Sequence, residues 1–223
     1  MQGFGAVPYD VAHMLGGAIL VLSFALLYQR RITAVLNIYA VQAGVLAAAA
    51  AWQGYIQGAP HLYVTALIAL GFKAIGIPLA LHRIVRRLAI HRTVETALGV
   101  GPSMVVGVGC VALSVLVVLP ITVEASALTR EDLALALSVV LLGMLMMITR
   151  RNAITQVVGF MSLENGLILA AVGVEGMPLV VEISVAFSVL VAFLVFGVFF
   201  FQIRERFDSL DLAFLESHRG EQR

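Results

Sequence analysis

The chain has 223 residues, 61% of them apolar and 12% charged, with a formal net charge of +1 and a mean hydropathy of +1.02. Globular domains carry roughly 45–50% apolar and about 25% charged residues, so a soluble fold would expose large apolar patches, and a disordered chain, polar and highly charged, is excluded. Lipid is the solvent that suits this composition, and the single cysteine, Cys110, excludes an intrachain disulfide or a Cys-cluster metal site.

A membrane-crossing helix needs about 20 mostly apolar residues. Seven segments qualify, in chain order 11–28, 32–52, 62–81, 101–121, 133–149, 153–172 and 178–202. The expected fold is an all-α polytopic membrane bundle of about seven transmembrane helices. Met1–Asp10 lacks the basic start and cleavage site of a signal peptide, so the first span is expected to stay. Only the connections 53–61, 82–100 and 122–132 exceed a few residues. Residues 1–132 read as a four-span segment, 133–211 as a three-span segment with a polar ending, and 212–223 as a cytoplasmic tail.

Basic residues collect in cytoplasmic loops. Arg30 and Arg31 follow span one, and Arg83, Arg86, Arg87 and Arg92 follow span three. Arg150 and Arg151 follow span five, and Arg204, Arg206, Arg219 and Arg223 follow span seven. The other side holds Arg130 alone, and Lys73 lies within a span. Seven spans with this alternation put the N-terminus outside and the C-terminus in the cytoplasm. The same bias explains the arginines after span three without a nucleic-acid partner.

Within the spans, Ala47–Ala51 and Gly101, Gly107 and Gly109 mark expected close helix packing. Pro78 and Pro120 are expected to kink or end spans three and four. Gly173, Gly176 and Pro178 read as a tight outer turn. Met144, Met146 and Met147 read as packing residues. His13, His61, His82, His91 and His218 show no pairing at metal-ligand spacing.

Ionisable groups inside a membrane are the chemically informative ones, because each costs about 2.5–3.5 kcal/mol at mid-bilayer on the insertion scale. Lys73, Glu164 and Glu182 qualify. Lys73 lies about 12 Å from the cytoplasmic end of span three, Glu164 about 12 Å below the outer end of span six and Glu182 about 6 Å into span seven. Glu164 and Glu182 are then roughly 10 Å apart across adjacent helices, within reach of one or two bridging waters. Lys73 lies close to the level of Glu164. A lysine–carboxylate row at one depth is what a lateral proton relay needs, since a neighbour's charge moves a proton on or off a group in low dielectric. The alternatives are a structural ion pair for Lys73, a neutral carboxyl held by Ser162 or Asn165 for Glu164, and an interfacial carboxylate for Glu182. Asn37, Tyr39, Gln42 and Gln156 are further polar groups that would line such a route.

The segments Thr149-Arg-Arg-Asn152, Val158-Gly-Phe-Met-Ser-Leu-Glu-Asn-Gly166 and Gly176-Met-Pro-Leu-Val-Val-Glu182, with the ending Arg204-Glu-Arg-Phe-Asp-Ser-Leu-Asp211, resemble the hydrogenase 4 component E family. That family is a multi-spanning subunit of group 4 [NiFe] hydrogenase and formate hydrogenlyase complexes. Its last three spans are similar to the complex I K subunit and the Mrp antiporter C subunit. The resemblance implies that Glu164 corresponds to the second-span glutamate of those relatives and Glu182 to the third-span one. Lys73 has no counterpart in a three-span relative, so its candidacy rests on burial alone. The resemblance further implies a subunit with no redox centre of its own, in the cell membrane of a prokaryote. The Ni-Fe centre and iron-sulfur clusters would sit in partner subunits: antiporter-like and complex I-like membrane subunits and a peripheral hydrogenase arm. Two rivals are an autonomous secondary transporter or Mrp-type antiporter component, and a seven-helix receptor. The first usually shows an internal repeat, and spans one and five start no shared motif. In the second, retinal proteins carry their lysine in the last span, whereas Lys73 is in span three.

Overall fold

The computed structural model describes residues 7–87, 98–122 and 127–173. All are helical or in short turns. The helices are α1 (Val7–Tyr28), α2 (Ile32–Gln57), α3 (Pro60–Ile68), a π-helical segment (Ala69–Gly76), α4 (Ile77–Arg87), α5 (Val100–Ile121), α6 (Ala127–Thr149) and α7 (Ala153–Gly173). Six helices among the described residues are long and apolar enough to cross a membrane, with α3, the π segment and α4 forming one of them, Pro60–Arg86. The sequence leads to about seven. The seventh segment, 178–202, lies outside the described residues.

The helices outrun the apolar segments. Gln53–Gln57 extends α2 and Ala127–Asp132 extends α6, although both stretches read as loop. Apolarity marks where a helix meets lipid; the hydrogen-bond ladder continues until a capping residue stops it. Gly58 stops α2 in the left-handed region at φ 62°, and Pro60 starts α3 at its first turn, the usual glycine-after, proline-before division of labour. Asn152 starts α7, its Oδ1 accepting from the Ile154 N–H at 2.9 Å.

Pro120 lies in the last turn of α5 and ends it, as expected. Pro78 neither ends nor breaks its helix. Proline lacks an N–H and its ring crowds the carbonyl four residues back. The chain absorbs this by widening the preceding turns, with Ile77 N–H bonding Phe72 O five residues back. Lipid offers the freed carbonyls no water, so a π adjustment that re-pairs them is favoured over a break.

The tightest pairing is α6 on α7. A Cβ added to Gly143 would lie 2.5 Å from the Leu163 backbone nitrogen, and one on Gly166 2.8 Å from the Val140 nitrogen. Gly159 faces Met147 N at 3.0 Å on the same terms. Small residues allow such backbone approach between membrane helices. Of the glycines named from sequence, Gly107 packs closely, against Phe24 and Leu142, while a Cβ on Gly101 or Gly109 would meet nothing. The alanine run fares better, with Ala47, Ala49 and Ala50 buried.

α2 packs on α1, α3, the π segment, α4 and α7, and α1 also packs on α5 and α6. Trp52 Nε1 donates to Pro8 O at 2.8 Å, and Gln57 Nε2 to Val172 O at 2.9 Å. The end of α2 therefore meets the start of α1 and the end of α7. A layer of Ile19, Leu46, Ala50, Val139, Ile168 and Val172 fills the bundle toward that end. Large apolar side chains such as Leu67, Val105, Leu116 and Ile148 cover the outside, as a lipid-facing surface requires.

Candidate functional site

Lys73 is the middle residue of the span Pro60–Arg86, and Glu164 is one past the middle of Ala153–Gly173. The two meet, with Lys73 Nζ 3.2 Å from Glu164 Oε2. Lys73 is 2% exposed and Glu164 1%. Lys73 belongs to the π segment, which packs on α2, and α2 packs on α7. π-Helical turns inside α-helices recur at functional sites, and this one carries the charge to its partner. Each ion buried alone would cost several kcal/mol, so the pair is stable only as a pair.

Beside the ion pair lies a second polar cluster. Gln42 Nε2 donates to Ser23 Oγ at 2.8 Å and to Ser162 Oγ at 3.1 Å. Asn165 Nδ2 donates to Gln42 Oε1 at 3.2 Å. Ser23 in turn donates to Ile19 O at 2.9 Å. One glutamine thereby ties α1, α2 and α7 together. Ser162 and Asn165 flank Glu164 in sequence, but their hydrogen bonds run to Gln42. The reason is helical: positions 162 and 165 share a face that residue 164 does not.

Tyr39, one turn before Gln42, is fully buried. Its ring hydroxyl has no hydrogen-bond partner among the described residues. The other two polar candidates lie elsewhere. Asn37 is exposed. Gln156 is also exposed, and its Nε2 donates to Arg150 O at 2.8 Å. A polar side chain in a span reveals nothing of its direction until the neighbouring helices are placed. Glu182, the third candidate, lies outside the described residues.

Arg150 has a place its loop position does not suggest. It is 2% exposed, and its Nη2 donates to Leu26 O at 3.0 Å and Leu27 O at 2.6 Å. These are carbonyls at the end of α1, where a cation suits both the open acceptors and the helix dipole. Burial pulls the guanidinium down from its ordinary range. Arg151 is exposed. The sequence gives no means of separating these two neighbours.

At the opposite end, His13 Nδ1 lies 2.9 Å from Asp132 Oδ1, and His13 Nε2 lies 3.7 Å from Glu131 Oε2. Asp132 also faces Gly173, at 3.7 Å from the position of a Cβ there. This contact joins α1 to α6 across 119 positions of the chain, a separation over which sequence carries no pairing signal. Gly173 lies nine positions after Glu164 on α7, about 13 Å along the helix. Ile168, Leu169 and Val172 in that stretch belong to the apolar layer. Among the described residues, this apolar layer lies between the ion pair and this end of the bundle.

No protein-family profile matches the sequence, and no solved structure matches it. An uncharacterized protein of Mycobacterium tuberculosis is 27% identical over 205 residues, covering 91% of this chain and 93% of that protein. Hydrogenase-4 component E of Escherichia coli K12 is 27% identical over 184 residues, covering 82% of this chain and 85% of that protein. The same protein of Shigella flexneri aligns equally, at 27% over 184 residues. An alignment of that length is longer than the segment 133–211 and so extends the resemblance into the first four spans. The described residues are all-helical, with six helices fit to cross a membrane, and the chain has a distant relationship to hydrogenase-4 component E.

Proposed function

We propose that this chain is an integral membrane subunit of a multisubunit complex similar to hydrogenase-4 and related to respiratory complex I, and that Lys73 and Glu164 exchange a proton during ion translocation. The observation that carries the reading is the 3.2 Å contact between two ionisable groups, both buried at mid-span. In the resting pair Lys73 is an ammonium and Glu164 a carboxylate. Transfer of one proton from Nζ to the carboxylate leaves a neutral amine and a carboxylic acid, a pair with no net charge to strand in low dielectric. A change in charge nearby tips that balance, and the proton follows. The chain itself holds no redox centre in this reading. The Ni-Fe centre and iron-sulfur clusters belong to a peripheral hydrogenase arm, and electron transfer there drives the change. The N-terminus faces outside and the C-terminus the cytoplasm of a prokaryotic cell, following the arginine distribution. Glu182 is the next group in the relay.

Glu164→Gln tests the reading. It keeps the size and removes the titratable proton. Measured per complex that assembles, the expected result is that electron transfer to an artificial acceptor survives and proton translocation is lost. Unchanged proton translocation with Glu164→Gln overturns it.

A further inference from the structure

We propose that Pro78 is a positioning residue of the Lys73–Glu164 site: it holds the turns of Ala69–Gly76 wide, and the wide turns aim Lys73 at Glu164. The effect on the ion pair follows from the helix alone. The effect on translocation rests on the proton-exchange reading above.

Two contacts place the widening around Lys73. The Ile77 N–H bonds Phe72 O, five residues back. A Cβ on Gly76 would lie 3.2 Å from Gly71 O, again five residues back. Residues five apart in an α-helix stand about 140° apart around the axis, so both contacts exist only because the turns are wide. Lys73 lies inside both.

The buried row along this span reveals what the widening does. Ala69, Lys73, Ile77, Leu81 and Val85 are all buried, at every fourth position. In an unbroken α-helix each step of four overshoots a full turn by about 40°, so the row would wind about 160° around the axis. A π turn holds more than four residues, so the steps through Lys73 fall short of a full turn while those beyond Ile77 overshoot. The two cancel, and the row stays on the side that packs on α2. Leu70, Phe72, Ile75 and Leu79 are exposed. Rewinding the segment as α would turn the helix after it by on the order of 100° relative to the helix before it. Lys73 sits between the two and would lose its bearing on Glu164.

Pro78 opposes that rewinding. In an α register its missing N–H would leave Ala74 O without a donor, and its ring would press on the same carbonyl. Lipid supplies no water to make up the loss. Gly76 permits the wide register, since Gly71 O stands where a side chain would begin. Pro78 takes no proton; it acts through the backbone that carries Lys73.

The test places Pro78→Ala, Gly76→Ala or Pro120→Ala in the assembled complex. Pro120, a span proline inside α5, is the control. Assembly, proton translocation per assembled complex and a high-resolution structure of the complex are obtained for each. Coupling between Lys73→Met and Glu164→Gln is read as non-additivity of the melting temperature in detergent, with and without Pro78→Ala. Pro78→Ala should assemble at or above the wild-type level, because alanine suits a helix far better than proline. Its Ile77 N–H should move to Lys73 O, Lys73 Nζ should leave hydrogen-bond distance of Glu164, and the non-additivity should vanish. Its translocation should fall about tenfold or more, the worth of one charge-assisted contact. Gly76→Ala, which crowds the wide register from within, should shift in the same direction, and Pro120→Ala should change neither the pair nor the rate. A Pro78→Ala complex that keeps the 3.2 Å contact and the non-additivity overturns the role of Pro78, whatever its rate. Loss of assembly in Pro78→Ala makes the proline structural and also overturns it. A broken pair with unchanged translocation supports the positioning of Lys73 and overturns the exchange reading instead.

Discussion

Arg150 Nη2 donates to Leu27 O at 2.6 Å, tying the turn between α6 and α7 to the end of α1 across more than half the chain. Its neighbour Leu26 O accepts from the same nitrogen at 3.0 Å. Two helix-terminal carbonyls thus share one buried cation.

Removing that cation should be costly. Arg150→Ala strips the carbonyls of a charged donor and leaves a void, for a loss on the order of 2–3 kcal/mol. Arg150→Lys keeps the charge but loses the planar fork and should fall between. Arg151→Ala, on an exposed neighbour, should lie within about 0.5 kcal/mol of wild type. Thermal unfolding in detergent ranks the three, and equal effects at 150 and 151 would contradict the buried role.

The α6–α7 seam makes a sharper demand. Gly143→Ala would force a methyl to 2.5 Å from the Leu163 nitrogen, and Gly166→Ala to 2.8 Å from Val140 N. Backbone cannot retreat as a side-chain tip can, so each should cost about 1–3 kcal/mol or more. Gly109→Ala, with open space around it, should be neutral or slightly stabilising through helix propensity. Expression and melting temperature distinguish these cases.

Lys73 and Glu164 should fail the test of additivity. Lys73→Met or Glu164→Gln alone leaves a buried group without its counter-charge, at about 3–5 kcal/mol. The double variant removes both charges and should recover much of that loss. Assembly and melting temperature give the coupling energy. Strictly additive effects would mean that the 3.2 Å contact carries no interaction.

Side-specific reporters check the orientation. The turn at Gly58 and the turn at Arg151 lie at opposite ends of the bundle, since Gln57 meets Val172 and Arg150 meets Leu27. Fusions at these two sites should therefore report opposite compartments. The arginine distribution assigns Gly58 to the outside and Arg151 to the cytoplasm. The same compartment for both would contradict the bundle, and a reversed pair would contradict the charge rule.

Much of this architecture was legible along the chain because it depends on solvent. Apolar length alone marks a crossing, so six described helices sit where the sequence leads, and Lys73 and Glu164 stand out because a charge there needs a reason. Apolar length does not mark where the helices stop: Gly58 ends α2 and Pro60 starts α3 at bounds beyond the apolar segments, and Asn152 caps α7. What the sequence cannot hold is direction. Asn37 and Gln42 lie five residues apart in the same span, yet one points outward and the other joins three helices. Pro78 announces a disturbance, but only the packed helix decides that it becomes a π turn rather than a break. Arg150 and Arg151 are indistinguishable as loop charges, until the end of α1 claims one of them. Lys73 and Glu164 were comparable in depth along their own spans. That they touch was decided by the way α2 brings the π segment and α7 together, because depth is fixed by each helix and adjacency only by the bundle.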